Sequence, residues 1–364
     1  MRILVEPAIF SYGPCGMTRY YASVCQGLRA QGASIDVPLL SSNCDFAPGL
    51  ARYTRGFRRC KLGAVMDAVA QEWFQRRVAK GRYDCVLVTS PRFDSAFLNR
   101  RPDTPFVMVV HDLMTCVTSP DGLYDSAGPG LLKLLALASR AARVICISDA
   151  TKQALLQHGM VQESRVTVIR TGNLLVQRTL RVSELSLPER YILFVGERSG
   201  RKGFYPMIRT LAAIFAQDRS LRLICTGRLT REERDFLAHH GVLDLVRAIP
   251  ADDHTLALLY KNALCLVYPS LYEGFGLPVI EAMHYGCPVV TTKRGALAEV
   301  AGNAALFFDP DFPEELRDVL LQVLYQPSEA RRLAELGKAH AGQFSVEKMM
   351  LRFREELNCV VQHR

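Results

Sequence analysis

The sequence predicts an α/β fold made of two Rossmann-like domains, each a parallel sheet flanked by helices. Short apolar runs, such as 84–89 and 105–111, are typical of buried parallel strands, and segments of helical periodicity separate them. A strand, a glycine-rich loop and a helix follow one another at the N-terminus and again from residue 190. Because 364 residues is the length of two ordinary domains, we expect each of these units to begin one domain.

The composition fits a globular protein with two hydrophobic cores, since 49% of the residues are hydrophobic. No apolar run reaches the roughly 20 residues that a membrane-spanning helix needs. The first apolar run contains Glu6 and has no small-residue cleavage site after it, so it is predicted to be a strand and not a signal peptide.

Eleven cysteines are scattered along the chain, and several lie inside apolar runs, among them Cys85, Cys146, Cys225 and Cys265. No two of them have the Cys-x-x-Cys spacing of a zinc site. Small buried thiols are typical of proteins in a reducing compartment. The cysteines therefore predict a cytoplasmic protein without a structural metal.

The formal net charge is +9, which fits a solvated basic surface, an anionic substrate, an anionic membrane surface or nucleic acid. Nucleic acid is the least favoured partner because the chain has no helix-turn-helix, zinc finger or aromatic-plus-basic RNA motif. The basic surplus is concentrated in residues 52–82, where apolar residues including Trp73 and Phe74 recur near helical spacing. We favour a surface helix that packs on the first sheet, with peripheral contact to an anionic membrane as the alternative.

The first domain opens with a strand at 2–6, a loop at 11–19 that contains Gly13 and Gly16, and a helix that runs to about Gln31. This order is the usual phosphate-binding opening of a doubly wound sheet. His111 ends the strand at 105–111, at the edge where open α/β sheets place their ligands. A strand-end histidine can also be structural, but its position makes His111 a candidate site residue.

The second domain opens with a strand at 190–195 and the loop Gly196–Gly203, which carries three cationic candidates. They are Arg198, Arg201 and Lys202. Cations between glycines beyond a strand end can hold phosphate charge in a site from which water is excluded, although an exposed loop is the simpler alternative. Thr226 and Gly227 close the next strand at the same expected sheet edge.

A third glycine-rich stretch, 268–286, is predicted to be a strand end, a loop and a helix start. Gly274 and Gly276 permit close backbone approach to a ligand, and Pro278 suits the first turn of a helix. A helix start offers unpaired N–H groups and positive dipole charge to a phosphate. With Glu273 in the loop and Glu281 in the helix, the stretch predicts a ligand with hydroxyls and phosphates, such as a nucleotide sugar.

The sequence EGFGLPVIEAM at 273–283 resembles the E-x7-E motif of retaining GT-B glycosyltransferases of family 4. The resemblance covers nearly the whole chain and is strongest from residue 191 to residue 309. It implies two Rossmann-like domains that face each other across a cleft. The implied divisions are an acceptor-side domain at 1–172, a linker at 173–188, a nucleotide-sugar domain at 189–344, and a helix at 345–364 that crosses back to the first domain.

The same resemblance assigns roles to individual residues of this chain. The residues expected to act on the transferred sugar and the leaving diphosphate are His111, Arg201, Lys202 and Glu273. The residues expected to bind the donor are Gly13, Gly16, Arg198, Thr226, Gly227, Gly274, Phe275, Gly276, Leu277 and Glu281. Within the first loop, the family's adjacent glycine pair is replaced by Gly13-Pro-Cys-Gly16.

The resemblance is to bacterial enzymes that transfer mannose or a deoxyhexose in surface polysaccharide synthesis, such as lipopolysaccharide or O-antigen. It implies a nucleotide sugar donor, with a GDP-sugar favoured over a UDP-sugar, and a glycan or lipid-linked acceptor. It implies no cofactor and no metal, so Asp309-Pro-Asp311 is interpreted as a turn and not as a metal-binding D-x-D motif. A location in the cytoplasm, with peripheral contact to the inner face of the membrane through 52–82, fits this interpretation.

Three other functions are consistent with parts of the pattern. A sugar-nucleotide epimerase of the same fold would convert the donor without an acceptor. A non-catalytic member of a polysaccharide assembly complex would release no nucleotide. A nicotinamide oxidoreductase is less favoured because neither glycine loop completes G-x-G-x-x-G.

Overall fold

The computed structural model describes residues 1–12, 15–39, 41–42, 53–54, 61–89, 94–113, 129–175, 186–198 and 200–362. The predicted site residue Gly13, all four arginines between 52 and 60, and the centre of the predicted linker lie outside these ranges. The chain divides into two compact units, Met1–Leu174 with Ser345–Arg364, and Leu175–Phe344.

The first unit is an α/β layer structure whose strands and helices alternate along the chain. Its strands are β1 (Arg2–Val5), β2 (Ser34–Asp36), β3 (Ser41–Ser42), β4 (Tyr53–Thr54), β5 (Cys85–Val88), β6 (Phe106–Val110), β7 (Arg143–Cys146) and β8 (Val166–Val168). Its helices are α1 (Gly16–Ala30), α2 (Lys61–Lys80), α3 (Ala96–Arg100), α4 (Pro129–Ala138), α5 (Asp149–Leu156) and α13 (Val346–Gln362).

Six of these strands form one parallel sheet in the order β2-β1-β5-β6-β7-β8, while β3 and β4 pair separately. The chain moves outward from β1 to β2 and then returns to the other side of β1, so β1 and β5 flank a topological switch point. Ligands of open α/β sheets bind beyond the carboxyl ends of the strands at such a point.

The second unit repeats this architecture. Its strands are β9 (Tyr191–Phe194), β10 (Arg222–Thr226), β11 (Val246–Ile249), β12 (Cys265–Tyr268), β13 (Val289–Thr292) and β14 (Ala305–Phe308). Its helices are α6 (Phe204–Gln217), α7 (Arg231–His239), α8 (Asp253–Asn262), α9 (Leu277–His284), α10 (Leu297–Ala301), α11 (Pro313–Tyr325) and α12 (Pro327–Ala341). The sheet order is β11-β10-β9-β12-β13-β14, with all pairs parallel, and its switch point lies between β9 and β12.

The central strands of the second sheet are buried along their whole length, as β9, β12 and β13 show. Helices cover both faces of a doubly wound sheet, which is why these strands are continuous apolar runs without polar alternation. The α/β class and the two Rossmann-like units predicted from the sequence are confirmed.

Helix α2 carries the described part of the basic 52–82 segment. Ala70, Phe74 and Val78 are buried, whereas Val65 is 56% exposed and Trp73 is 39% exposed. One side of the helix therefore packs within the first unit, as the favoured interpretation expects. The proposed membrane contact stays a prediction. Within the described ranges, no helix combines the length and the apolar character needed to cross a membrane.

Helix α13, at the end of the chain, packs on α1 of the first unit. A Cβ atom added to Gly27 of α1 would lie 2.6 Å from the Met350 Cγ atom, so the two helices approach closely. Arg143 at the start of β7 adds an ion pair with Glu356, with 2.8 Å between its Nε and a carboxylate oxygen. The last seventeen residues with helical structure thus stabilise the unit that the N-terminus begins.

Replacing the buried Phe353 of α13 by alanine is expected to destabilise the first unit. Deletion of a buried phenylalanine ring costs about 3–5 kcal/mol because contacts are lost and a cavity is left. The change is measured by urea unfolding followed by circular dichroism. Leu351→Ala removes an exposed apolar side chain from the same helix and should cost less than about 0.5 kcal/mol. Equal losses in the two variants would show that α13 does not pack as described.

Candidate functional site

Two loops of the second unit meet at the carboxyl edge of its sheet. One follows β9 and contains the short 3-10 helix Gly200–Lys202, and the other follows β12 and spans 269–276. Because β9 and β12 are hydrogen-bonded neighbours, both loops leave the sheet at the switch point. The backbone N–H of Leu271 donates to the Arg201 carbonyl at 2.9 Å, so the loops are joined directly.

Gly203 explains how closely the two loops approach. Its φ of +67° is in the left-handed region, and a Cβ atom there would lie 2.2 Å from the Pro269 carbonyl oxygen. A side chain at this position would push the loops apart, so glycine is required for both conformation and space.

Glu273 is the centre of the polar cluster formed by these loops. Its Oε1 atom accepts hydrogen bonds from Lys202 Nζ at 2.5 Å, Ser270 Oγ at 2.6 Å and Tyr268 Oη at 2.9 Å. The Lys202 and Glu273 side chains are each 11% exposed, so the charges are paired in a largely water-excluded position. Within the described part of the chain, Glu273 Oε2 has no hydrogen-bond partner.

Lys202 is held by two acceptors and retains donor capacity. Its Nζ atom donates to Tyr268 Oη at 3.0 Å as well as to Glu273, and it lies 5.2 Å from the centroid of the Tyr268 ring. An ammonium group carries three N–H bonds, so a third remains for a ligand. Burial, with the Glu273 charge second, raises the pKa of Tyr268 well above its ordinary value. The phenol therefore stays protonated and continues to donate to Glu273.

Arg201 lies on the more exposed side of the cluster. Its Nη1 atom donates to the Tyr272 carbonyl at 3.1 Å and lies 3.7 Å from Glu273 Oε1, while Nη2 lies 3.6 Å from Glu197. Two cations thus lie next to one another at this edge, and Arg201 is the one more accessible to a ligand.

Helix α9 begins directly after the loop that carries Glu273. Gly276 precedes its first residue, Leu277, with a φ of +101°, and Pro278 lies in the first turn. Among the described residues, no side chain caps this helix start, so its first N–H groups lack the usual side-chain acceptor. Gly274 and Phe275 are buried at the same turn, and the Phe275 ring packs edge-on against Phe344. A Cβ atom on Gly276 would lie 3.9 Å from Tyr268 Cε1, so the positive end of the α9 dipole lies near the tyrosine that accepts from Lys202.

Glu281 lies further along α9 and is 2% exposed. Its Oε2 atom accepts a hydrogen bond from Tyr260 Oη at 2.9 Å. The structure thus gives the two acids of the motif different surroundings: Glu273 is paired with a cation, and Glu281 is bonded to a buried phenol.

Arg198, Thr226 and Gly227 connect the loops that follow β9 and β10. Arg198 donates to the carbonyl oxygens of Thr226 at 2.7 Å and Arg228 at 2.5 Å, and its Nε lies 2.8 Å from the buried Glu233 carboxylate. Thr226 Oγ1 accepts from the Gly196 N–H at 3.0 Å, and Gly227 has a φ of +90°. The Arg198 charge is therefore paired within the fold, and its role in donor binding stays a prediction.

The remaining predicted residues lie in the first unit. His111 follows β6, and its ring is enclosed by the edges of Tyr20 and Tyr21 at centroid distances of 4.9 and 5.4 Å. Burial lowers the pKa of His111 to about 4, so the imidazole is neutral at neutral pH. Its Nε2 atom is buried without a hydrogen-bond partner among the described residues. Gly16 is the first residue of α1.

Asp309 and Asp311 form an ion-paired turn. Arg294 Nη2 lies 2.9 Å from Asp309 and 2.6 Å from Asp311, so one guanidinium holds both carboxylates. Across the described ranges, no three or more His, Cys, Asp or Glu side chains lie together where they could hold a metal ion. Metal independence stays a prediction.

Sequence analysis missed three residues that shape the site: Tyr268, Ser270 and Gly295. Tyr268 and Ser270 lie in the same strand-end stretch as Glu273. This shared position at the sheet edge is the one sequence feature that could have indicated their part in the site. The carbonyls of Tyr268 and Ser270 are in turn held by Thr291 at 2.8 Å and Thr292 at 2.7 Å. Gly295 has a φ of +60°, and a Cβ atom there would lie 2.4 Å from the Glu273 carbonyl oxygen.

Gly295→Ala is expected to displace the loop that carries Glu273 and to lower the free energy of unfolding by about 2–4 kcal/mol. The left-handed backbone alone costs about 1–3 kcal/mol for a residue with a side chain, and the contact with the Glu273 carbonyl adds to it. Gly241→Ala is the matched control, because Gly241 has a φ of +67° but open space around the added Cβ. Thermal or urea unfolding compares the variants, and equal destabilisation would contradict the close approach at Gly295.

Two family models match the chain and together cover most of it. The model described as Glycosyltransferase Family 4 matches residues 14–172, and the model described as Glycosyl transferases group 1 matches residues 177–340. Each matched range lies entirely within one of the two structural units.

The curated relatives are similar to only part of this chain. The O-antigen chain mannosyltransferase B of Escherichia coli is 32% identical over 164 residues, which is 43% of this chain and 42% of the relative. The MMP alpha-(1->4)-mannosyltransferase of Mycolicibacterium hassiacum is 29% identical over 210 residues, which is 56% of this chain and 51% of the relative. The chain thus spans about half the length of these curated relatives.

Solved structures match over the whole chain. Anabaena HepE, crystallised in complex with UDP and glucose, superimposes with a TM-score of 0.74 at 19% identity and covers 99% of this chain and 100% of its own. At this identity the likeness shows the fold, which the two parallel sheets described above share. The sequence-based assignment is confirmed: the chain belongs to the family 4 glycosyltransferases of glycosyl transferases group 1 and has their GT-B fold.

Proposed function

We propose that the chain is a retaining glycosyltransferase that transfers a hexose from a nucleotide diphosphate sugar to a glycan or lipid-linked acceptor. The observation that carries this proposal is the cluster at the switch point of the second sheet. There, Lys202 and Arg201 lie beside Glu273 and the start of α9. The cluster offers cations and helix N–H groups for a diphosphate and a carboxylate oxygen for sugar hydroxyls.

The leaving diphosphate would be stabilised by Arg201, Lys202 and the first N–H groups of α9. Negative charge grows on the diphosphate as its bond to the sugar anomeric carbon breaks and the sugar becomes oxocarbenium-like. Donors that are already in place stabilise such charge without the cost of reorganising water. Lys202 is suited to this role because Tyr268 and Glu273 fix its Nζ atom while one N–H remains for a phosphate oxygen.

Glu273 would bind the transferred sugar through its second oxygen. Three donors hold Oε1 in place, and Oε2 is the atom left to accept a hydrogen bond from a sugar hydroxyl. Backbone N–H groups between Gly274 and Leu277 would contact the sugar and the phosphate. His111 would approach the sugar as a neutral imidazole, because its lowered pKa keeps the proton off at neutral pH.

The proposed mechanism is an internal return. The acceptor hydroxyl oxygen bonds to the anomeric carbon on the face that the diphosphate leaves, and a departing phosphate oxygen takes the hydroxyl proton. No residue of the cluster is assigned as a covalent nucleophile. In this mechanism the protein positions the donor and stabilises charge, and the diphosphate itself serves as the base.

The names of relatives support a narrower proposal. An Escherichia coli O-antigen mannosyltransferase and a mycobacterial mannosyltransferase are similar to part of this chain, so we favour mannose or a deoxyhexose and a role in surface polysaccharide synthesis. HepE was crystallised with UDP and glucose, which supports a nucleotide sugar donor without supporting the GDP-sugar that we favour. We further propose a metal-independent cytoplasmic enzyme, with peripheral membrane contact through 52–82 as the alternative to a basic helix that only packs within the first unit.

Alanine variants of Lys202 and Glu281 are expected to affect different kinetic constants. The donor is first selected by a thermal-shift screen of GDP-, UDP- and dTDP-sugars, in which we expect a GDP-sugar to stabilise most. Lys202→Ala should lower kcat about 100-fold, because a preorganised cation at the leaving group is lost. We propose that Glu281 accepts hydrogen bonds from the ribose hydroxyls of the donor. Glu281→Ala should therefore mainly raise the donor KM, about tenfold, because these hydrogen bonds are lost.

The assay measures nucleoside diphosphate released from the donor, with a lipid-linked glycan or water as acceptor. Lys261→Ala removes an exposed lysine of α8 and should match the unmodified protein. Unchanged constants in both site variants would contradict the proposed roles. Conversion of the free nucleotide sugar without any acceptor, followed by NMR, would favour the epimerase instead.

A further inference from the structure

Glu281 and Tyr260 form a buried hydrogen bond between two helices of the second unit. Tyr260 belongs to α8 and is fully buried, and its Oη atom lies 2.9 Å from Glu281 Oε2 on α9. A carboxylate with so little exposed surface can reach a ligand only through the small part that stays accessible. Its orientation therefore decides whether a ligand hydroxyl can bind.

The phenol is suited to hold this orientation because it remains a donor. Burial first, and the Glu281 charge second, raise the pKa of Tyr260 well above its ordinary value. The hydroxyl therefore keeps its proton at neutral pH and remains a donor. A hydrogen bond to a charged group is among the stronger ones, particularly where water is excluded.

The Tyr260 ring is itself fixed from the end of α9. Tyr285 follows α9, and its ring stacks on Tyr260 with an interplanar angle of 8° and 6.3 Å between centroids. The Tyr285 N–H donates to the Glu281 carbonyl at 3.3 Å. The segment that carries the carboxylate thus also carries the ring that stacks on Tyr260.

We propose that Tyr260 is a positioning residue that orients Glu281 toward the ribose hydroxyls and so sets the preference for ribonucleotides over their deoxy forms. This inference rests on the proposed function, which assigns the ribose contact to Glu281. The simpler alternative is that the pair only ties α8 to α9. A purely structural tie would weaken the binding of all nucleotides equally and would leave the preference for ribose unchanged.

The test measures nucleotide affinity by titration calorimetry on the full chain. The probes are GDP and UDP, each compared with its 2′,3′-dideoxy form, and the variants are Tyr260→Phe, Glu281→Gln and the double variant. Tyr260→Phe should weaken the better-binding ribonucleotide about five- to tenfold and its dideoxy form less than about twofold. The double variant should lose no more ribose preference than Glu281→Gln alone, because the two single changes act on the same ribose contact.

Tyr285→Phe is the matched control, since it removes a neighbouring phenol but keeps the stacked ring. It should leave the ratio of the two affinities unchanged, and circular dichroism melting checks that each variant is folded. If Glu281→Gln removes the ribose preference while Tyr260→Phe retains it, the inference is wrong and the ribose role of Glu281 stands. If the unmodified chain binds none of GDP, UDP and dTDP, the proposed function fails and the inference fails with it. If it binds dTDP alone, the inference is wrong and the proposed function stands.

Discussion

The convergence of three donors on Glu273 Oε1 is the interaction on which the candidate site depends. Lys202, Tyr268 and Ser270 reach that oxygen from two loops that leave neighbouring strands. A buried carboxylate is costly unless it is paired and hydrogen-bonded, and this arrangement provides both. In return, the carboxylate holds the two loops together at the sheet edge. The acid is therefore a structural centre of the site as well as a proposed ligand group.

The same interaction makes the proposed roles of Lys202 and Glu273 depend on each other, although the two residues are far apart in the sequence. Lys202 is not a free cation that waits for phosphate, because Glu273 and Tyr268 already fix its ammonium group. Removal of any of these side chains would leave another buried polar group without its partner, and such groups are not energetically independent. Gly203 and Gly295 belong to this set as well. Gly203 permits the close approach of the loops that follow β9 and β12, and Gly295 permits the close approach of its own loop to the Glu273 backbone.

The sequence predicts the sheets and the sheet edge well, because apolar runs and glycine loops reflect local constraints that tertiary packing rarely overrides. It does not predict which side chains contact one another at that sheet edge. Lys202 and Glu273 are 71 positions apart, and nothing in a single sequence shows which donors reach one oxygen atom. Arg198 is an example. The sequence shows a cation between two glycines, but it does not show that this cation is paired with Glu233 of the later helix α7. Tyr260 resembles any core aromatic of a helix, and its bond to Glu281 is visible in the structure alone.

The central claim is that the Lys202 and Glu273 cluster binds the diphosphate of a nucleotide sugar. A crystal structure of the chain with the nucleoside diphosphate of the selected donor tests it most directly. The account predicts a phosphate oxygen within about 3 Å of Lys202 Nζ and of an N–H at the start of α9. Lys202 should remain bonded to Glu273 in that complex. A nucleotide bound elsewhere, with the cluster unchanged and its helix start without phosphate contact, would contradict the account.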